Sequence, residues 1–161
     1  MKNWFGLLIL SILFLGCQSK ENLPKETYTI FSNHYIDLWG PDTLRGGSFY
    51  ILEKASTYVA YYNADDRDLR NCPDCGSPVI AFEFDPSLLS FRYSTVRELK
   101  AANVTSGWNG GFNGPYGYRV QSGTITGQKQ GLHRWIISMD LPADSSIYFK
   151  GFKKTAVYKV R

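Results

Sequence analysis

A chain of 161 residues with eighteen Lys and Arg against fourteen Asp and Glu has a formal net charge of +4, too small an excess to argue for nucleic-acid binding. The length suits one domain around one hydrophobic core and leaves little room for a second. Aromatic residues make up 16%, with eleven Tyr and ten Phe beside fifteen Gly and seven Pro, a mixture that favours many short strands joined by tight turns over a helical bundle.

The N-terminus reads Met1-Lys2-Asn3, followed by an apolar run from Trp4 that ends in Leu13-Phe14-Leu15-Gly16-Cys17. A dozen apolar residues fall short of the ~20 that span a bilayer as a helix, so the run has the form of a signal peptide. On these residues the sequence resembles a bacterial lipoprotein precursor, with Phe14 where such signals usually carry Leu. The resemblance implies removal of residues 1–16, a diacylglycerol on Cys17 and an acylated new amino terminus, which makes a membrane the first partner. Residues 17–27 then form the lipidated cysteine and a polar tether, whose ten or so residues span roughly 17 Å as a flexible coil. Gln18 in place of Asp implies, by the same resemblance, sorting to the outer membrane. Gln18-Ser19-Lys20-Glu21 is similar to the export tags of Bacteroidota lipoproteins, so the domain is expected in the cell envelope, facing the periplasm or the cell surface.

Residues 28–161 are expected to form a single all-β domain. A strand over 28–39 precedes a turn at Gly40-Pro41-Asp42-Thr43. Segments 48–53 and 57–63 read as a hairpin across Lys54-Ala55-Ser56, with Phe49 and Ile51 on one face and Val59 and Tyr61 on one face of the partner. In a strand over 78–85, Ile80, Phe82 and Phe84 alternate with Ala81, Glu83 and Asp85, the pattern of a sheet with one buried face. A strand over 88–93 leads to one short helix near 95–103, where Thr95 and Glu98 have the spacing of a capping box. Further strands are expected over 118–126, 132–141, 146–152 and 155–160, with a turn over 127–131. Eight to ten strands with regular turns point to an antiparallel β-sandwich. A closed, lipocalin-like β-barrel is the alternative, although Leu38-Trp39-Gly40 is not the usual Gly-x-Trp signature of that family.

Three motifs bear on function. In Cys72-Pro73-Asp74-Cys75-Gly76 the two cysteines make an even remainder once Cys17 carries lipid, so a disulfide between Cys72 and Cys75 is expected in an oxidising compartment. A zinc knuckle is the alternative, but it lacks a second Cys-x-x-Cys and has only His34 and His133 to complete four ligands. Asn63, Asp65, Asp66 and Asp68 crowd oxygen atoms into one segment, but without EF-hand spacing they read as a solvated acidic turn and no metal is assigned. In the glycine-rich segment 106–118, Trp108, Asn109, Phe112, Tyr116 and Tyr118 are candidate ligand-binding residues, since Trp and Tyr offer flat apolar faces with polar edges and glycines let a backbone approach closely. Sugars suit such surfaces.

No catalytic residue is assigned. The Gly-x-Ser-x-Gly and His-Glu-x-x-His patterns are missing, and Glu83 and Asp85, two apart on one strand, read as an exposed face rather than a catalytic pair. Lys150, Lys153, Lys154, Lys159 and Arg161 form a basic C-terminal stretch, read as protective charge on a solvated edge strand, with contact to phosphates of lipid or lipopolysaccharide as the alternative. Asn103-Val104-Thr105 and Asp42-Thr43-Leu44 are unspecific glycosylation-type triplets. Taken together, a membrane-anchored binding or envelope-interaction module is expected, without cofactor, taking a glycan or small ligand. A structural lipoprotein docking onto another envelope protein is the alternative.

Overall fold

Strong two-residue alternation of aromatic and β-branched residues makes this a β protein, and the computed structural model, which describes residues 25–39, 47–65, 77–109, 116–145 and 149–161, bears that out. In chain order the elements are β1 (Lys25–Trp39), β2 (Gly47–Asp65), β3 (Ser77–Phe84), β4 (Ser90–Tyr93), α1 (Val96–Ala101), β5 (Thr105–Asn109), β6 (Tyr116–Arg119), β7 (Thr124–Lys129), β8 (Arg134–Leu141) and β9 (Phe152–Val160). The expected all-β class with one short helix is what the chain adopts.

All nine strands share one hydrogen-bonded sheet, in the order β3-β5-β6-β2-β1-β9-β8-β7-β4. The closed barrel is not formed, because the sheet ends at β4. Nor is the sheet wholly antiparallel: β1 and β9 pair in parallel at Thr29 with Lys159 and Ile30 with Val160. Two facing layers arise because this single sheet curls over, bringing Phe84 of β3 within 4.9 Å, ring to ring, of both Phe91 on β4 and Trp135 on β8. Ile30, Tyr62, Ile80, Phe82, Ile125, Ile137, Met139 and Tyr158 fill the same interior, and α1 contributes Leu99 to it, with Ala102 just past its end. The helix begins as its sequence dictates: Thr95 Oγ1 accepts from the Glu98 amide at 3.2 Å, and the Glu98 carboxylate accepts from the Thr95 amide at 2.9 Å.

The Lys54-Ala55-Ser56 turn is corrected to a bend within one long strand. Ser32 pairs with Tyr58 while His34 pairs with Glu53, so Asn33 alone opposes residues 54–57. Asn33 and Lys54 take φ of 60° and 80°, left-handed values that concentrate the distortion at this point. Both halves of β2 keep their partner in β1, so the chain kinks instead of reversing.

Beyond the kink the β1–β2 arm folds onto the other face of β2 and β3. There Ile36 and Phe49 pack on Val59, Val79 and Ala81 in a second, smaller core. The sheet with one buried face is therefore corrected for β3, whose two faces line the two cores. A partial ring surrounds the second core: late β2 pairs with β3, β3 with β5, β5 with β6, and β6 with the start of β2 at Gly47 and Ser48.

Two further departures have local causes. Gly127 lies inside β7 and not in a turn, because the Phe91 ring from β4 covers its face: a Cβ there would come within 2.2 Å of that ring. The single strand expected over 118–126 is split, since β6 belongs to the ring and β7 to the opposite layer. Gly123, at φ 113° and packed against the Asp140 carbonyl, carries the chain between them.

Candidate functional site

The outer side of the ring is where the predicted aromatic residues meet. Residues on β5 alternate between the small core and the outside, so Gly107 faces inward and Trp108 outward. Trp108 is directly opposite Tyr116 on β6, and both are 38% exposed. Tyr118 sets its ring edge-on to Tyr116, with centroids 5.6 Å apart and planes at 88°. On the far side of β5, Trp108 pairs with Pro78, and on the far side of β6, Tyr116 pairs with Ser48. Pro78, Trp108, Tyr116 and Ser48 therefore form one transverse row over four strands, each about 4.8 Å from the next.

That row continues onto residues the sequence reading passed over. Tyr50 and Leu52 follow Ser48 at two-residue intervals on β2, and Tyr35 is the cross-strand partner of Leu52. Tyr50 is 43% exposed, and Leu52 and Tyr35 are exposed as well. Their signal was present in Phe49-Tyr50-Ile51-Leu52, where the face opposite Phe49 and Ile51 is also apolar. A solvent face ordinarily alternates to polar residues.

Not every predicted residue joins this face. Asn109 turns the other way, and its Nδ2 donates to the Tyr61 hydroxyl at 3.3 Å. Burial holds that phenol above its usual pKa, with the Asn109 bond opposing. The glycines also have another purpose than ligand approach. Gly107 and Gly117 are cross-strand partners, and a Cβ on Gly107 would lie 1.9 Å from the Tyr116 carbonyl oxygen, so they let β5 and β6 close the ring tightly. Phe112, Cys17, Cys72 and Cys75 lie outside the described residues, as do Asp66 and Asp68.

Polar clusters elsewhere are committed to holding the fold. Glu83 Oε1 accepts from the Ile36 amide at 2.7 Å and from Asn103 Nδ2 at 2.8 Å, while Arg119 donates to Asn103 Oδ1 at 3.3 Å. Asn103 is thus a tied helix-end residue, at φ 48°. Asp85 sits in the following turn and accepts from the Ser87 amide at 2.8 Å, so Glu83 and Asp85 serve different partners. Where β1 and β9 diverge beyond their two paired residues, Glu26 receives bonds from Lys154, from the Tyr28 hydroxyl at 2.6 Å and from the Tyr62 hydroxyl at 3.3 Å. The Lys154 ammonium chiefly holds the Glu26 carboxyl below the usual carboxylate range, while burial pushes Tyr62 up to about 12. Among the described residues no three His, Cys, Asp or Glu side chains converge as a metal site.

No protein-family model matches this chain, and no curated protein or solved structure matches it.

Proposed function

We propose that this chain is an exported, lipid-anchored binding module that takes glycans of the cell envelope on the outer face of its ring. The observation that carries the reading is the directly opposed pair Trp108 and Tyr116 on adjacent strands, flanked by Tyr118 and continued by Tyr50. Sugar rings present flat patches of C–H between hydroxyls, which suit stacking on aromatic faces whose phenol and indole edges donate hydrogen bonds. The face is built on strands whose packing holds the rings in place before any ligand arrives, which lowers the ordering cost of binding.

A glycan array followed by calorimetric titration tests this. Saturable binding of an oligosaccharide is expected, with a loss of tenfold or more in Trp108→Ala, since base–aromatic and related stacking contacts are each worth about 1–3 kcal/mol. An array without any ligand, together with one dominant protein crosslinked through position 50 or 108 on intact cells, would replace the glycan by an envelope protein. The anchor is tested separately by mass spectrometry of the mature N-terminus. A diacylglyceryl Cys17 is expected there, and an unmodified Cys17 or a retained 1–16 segment would remove the anchor. Thiol titration of the purified protein is expected to find Cys72 and Cys75 unreactive.

A further inference from the structure

The end of the sheet formed by the start of β4, the β7–β8 turn and the end of β9 carries a second surface of unusual make-up. Leu132, in the turn, is 82% exposed, and Leu89, just before β4, is 75% exposed, with Leu88 beside it also exposed. The two turns are adjacent, because the Lys129 amide donates to the Leu89 carbonyl at 2.9 Å and the Gln130 amide donates to the Arg134 carbonyl at 2.8 Å. A leucine held at a turn tip, with open space around the preceding Gly131 at φ 82°, gains nothing for the fold.

Cations lie at the same end of the sheet. Arg134 and Lys159 are direct cross-strand partners, both exposed, and like charges placed opposite one another on a sheet destabilise it. Arg161 follows two residues on. Among the described residues none of these three side chains has an acidic partner, whereas the neighbouring lysines of the same strand do: Lys153 pairs with Asp140 at 2.6 Å and Lys154 with Glu26. Lys129, at the same end, is taken up by the Pro86 carbonyl and the Trp135 ring. In residues 85–89 and 129–134 the one acid is Asp85, which is turned onto the Ser87 amide. Protruding leucines at the same end of the sheet as cations without an acidic partner among the described residues match the boundary between acyl chains and anionic headgroups, where apolar side chains insert and Lys or Arg meet phosphates.

We infer that this end of the domain docks onto an anionic bilayer surface, inserting Leu89 and Leu132 and setting Arg134, Lys159 and Arg161 against lipid phosphates. The inference is independent of the glycan face, which lies on other strands, and it does not require the acyl anchor. With the anchor present, the docking would fix how the domain stands on its membrane.

The test uses the full chain as Cys17→Ser, so that no acyl chains hold it, with vesicles of phosphatidylcholine alone or with about one third phosphatidylglycerol. The apolar N-terminal segment is common to all variants and cancels in their ratios. Hydrogen exchange in residues 86–89 and 130–133 is expected to slow on anionic vesicles only. Partition onto them is expected to fall roughly fivefold for each cation removed in Arg134→Gln and Lys159→Gln, and further in Leu89→Ser with Leu132→Ser. The Arg134→Gln, Lys159→Gln double variant is also expected to melt no lower than the parent, because it loses a repulsive pair, so weaker partition cannot be put down to unfolding. Exchange unchanged on anionic vesicles, protection that survives charge removal, or protection that appears without vesicles as protein concentration rises would overturn the inference, the last by making the occupant a second copy of the chain.

Discussion

Two regions of this molecule are built from the same residue types and end in opposite states. In the interior of the curled sheet Phe82, Phe84, Phe91, Trp135 and Tyr158 are buried against one another, whereas on the outside of the ring Trp108, Tyr116 and Tyr50 are held on paired strands and left in solvent. Composition cannot separate these uses, but pairing can: each buried ring faces another layer, and each exposed ring faces none. The first way to break the comparison is to truncate one tryptophan from each region. Trp135→Ala removes a fully buried indole and is expected to cost about 3–5 kcal/mol. Trp108→Ala is expected to stay within about 0.5 kcal/mol of the parent. Urea unfolding of the two variants measures both. Similar losses would mean that Trp108 is a core residue and not part of a binding face.

The next largest effect concerns how the exposed pair is held. At Gly107 a methyl would meet the Tyr116 carbonyl oxygen at 1.9 Å and the Gly117 Cα at 2.5 Å. Backbone cannot yield there as a flexible side chain would, so Gly107→Ala is expected to cost about 3 kcal/mol and to part β5 from β6. Ligand binding at Trp108 and Tyr116 should fall with stability in this variant alone. Gly131→Ala provides the contrast: its φ of 82° strains any side chain, but nothing lies within 4 Å, so about 1 kcal/mol is expected, with binding untouched.

Between the two regions stands Glu83, which ties the folded-over arm to the helix end. Glu83→Ala would leave the Ile36 amide and the Asn103 side-chain amide without their acceptor, at an expected cost of about 2 kcal/mol. Glu83→Gln keeps an oxygen at the same place and should recover most of it. If the glutamine variant is as unstable as the alanine one, the charge and not the acceptor geometry is what matters, and the arm is held electrostatically.

How far the sequence spoke for itself follows from which forces are local. The capping box at Thr95 and Glu98 was legible because both partners lie within one turn, and the alternation at Ile80, Phe82 and Phe84 because each strand carries its own period. The second core was not, since it depends on Asn33 shifting register against residues 54–57, which turns a hairpin signal into a kink. Gly127 looked like a turn residue because Phe91, the ring that covers it, comes from 36 positions earlier in the chain, on β4. Of the candidate site, Trp108, Tyr116 and Tyr118 were found by residue type. The apolar outer face of Tyr50 and Leu52 was legible in Phe49-Tyr50-Ile51-Leu52, but its place beside Trp108 and Tyr116 was not, because only the pairing of Ser48 with Tyr116 brings those strands together.

The smallest effect tests whether the interior and the outer face respond independently to solution conditions. The helix closing the interior begins at Thr95, and loss of that cap in Thr95→Ala is expected to cost about 1 kcal/mol. The Glu98 carboxyl is held below its ordinary range, chiefly by the amides of Ser94 and Thr95. Its contribution is therefore complete above the unfolded carboxylate pKa of ~4.3 and is lost as pH falls through the lower folded value. Glu26 behaves with the same sign, through its bond from Lys154. Stability measured from pH 7 downward should thus fall on the acid side in the parent and fall less steeply in Glu98→Gln, which starts lower and has no proton to gain. Trp108, on β5, should bind its ligand with the same affinity in both proteins at pH 7. A binding change in Glu98→Gln at that pH would show that the helix end and the ring are coupled, through Asn103 and Arg119, more tightly than two separate uses of aromatic residues allow.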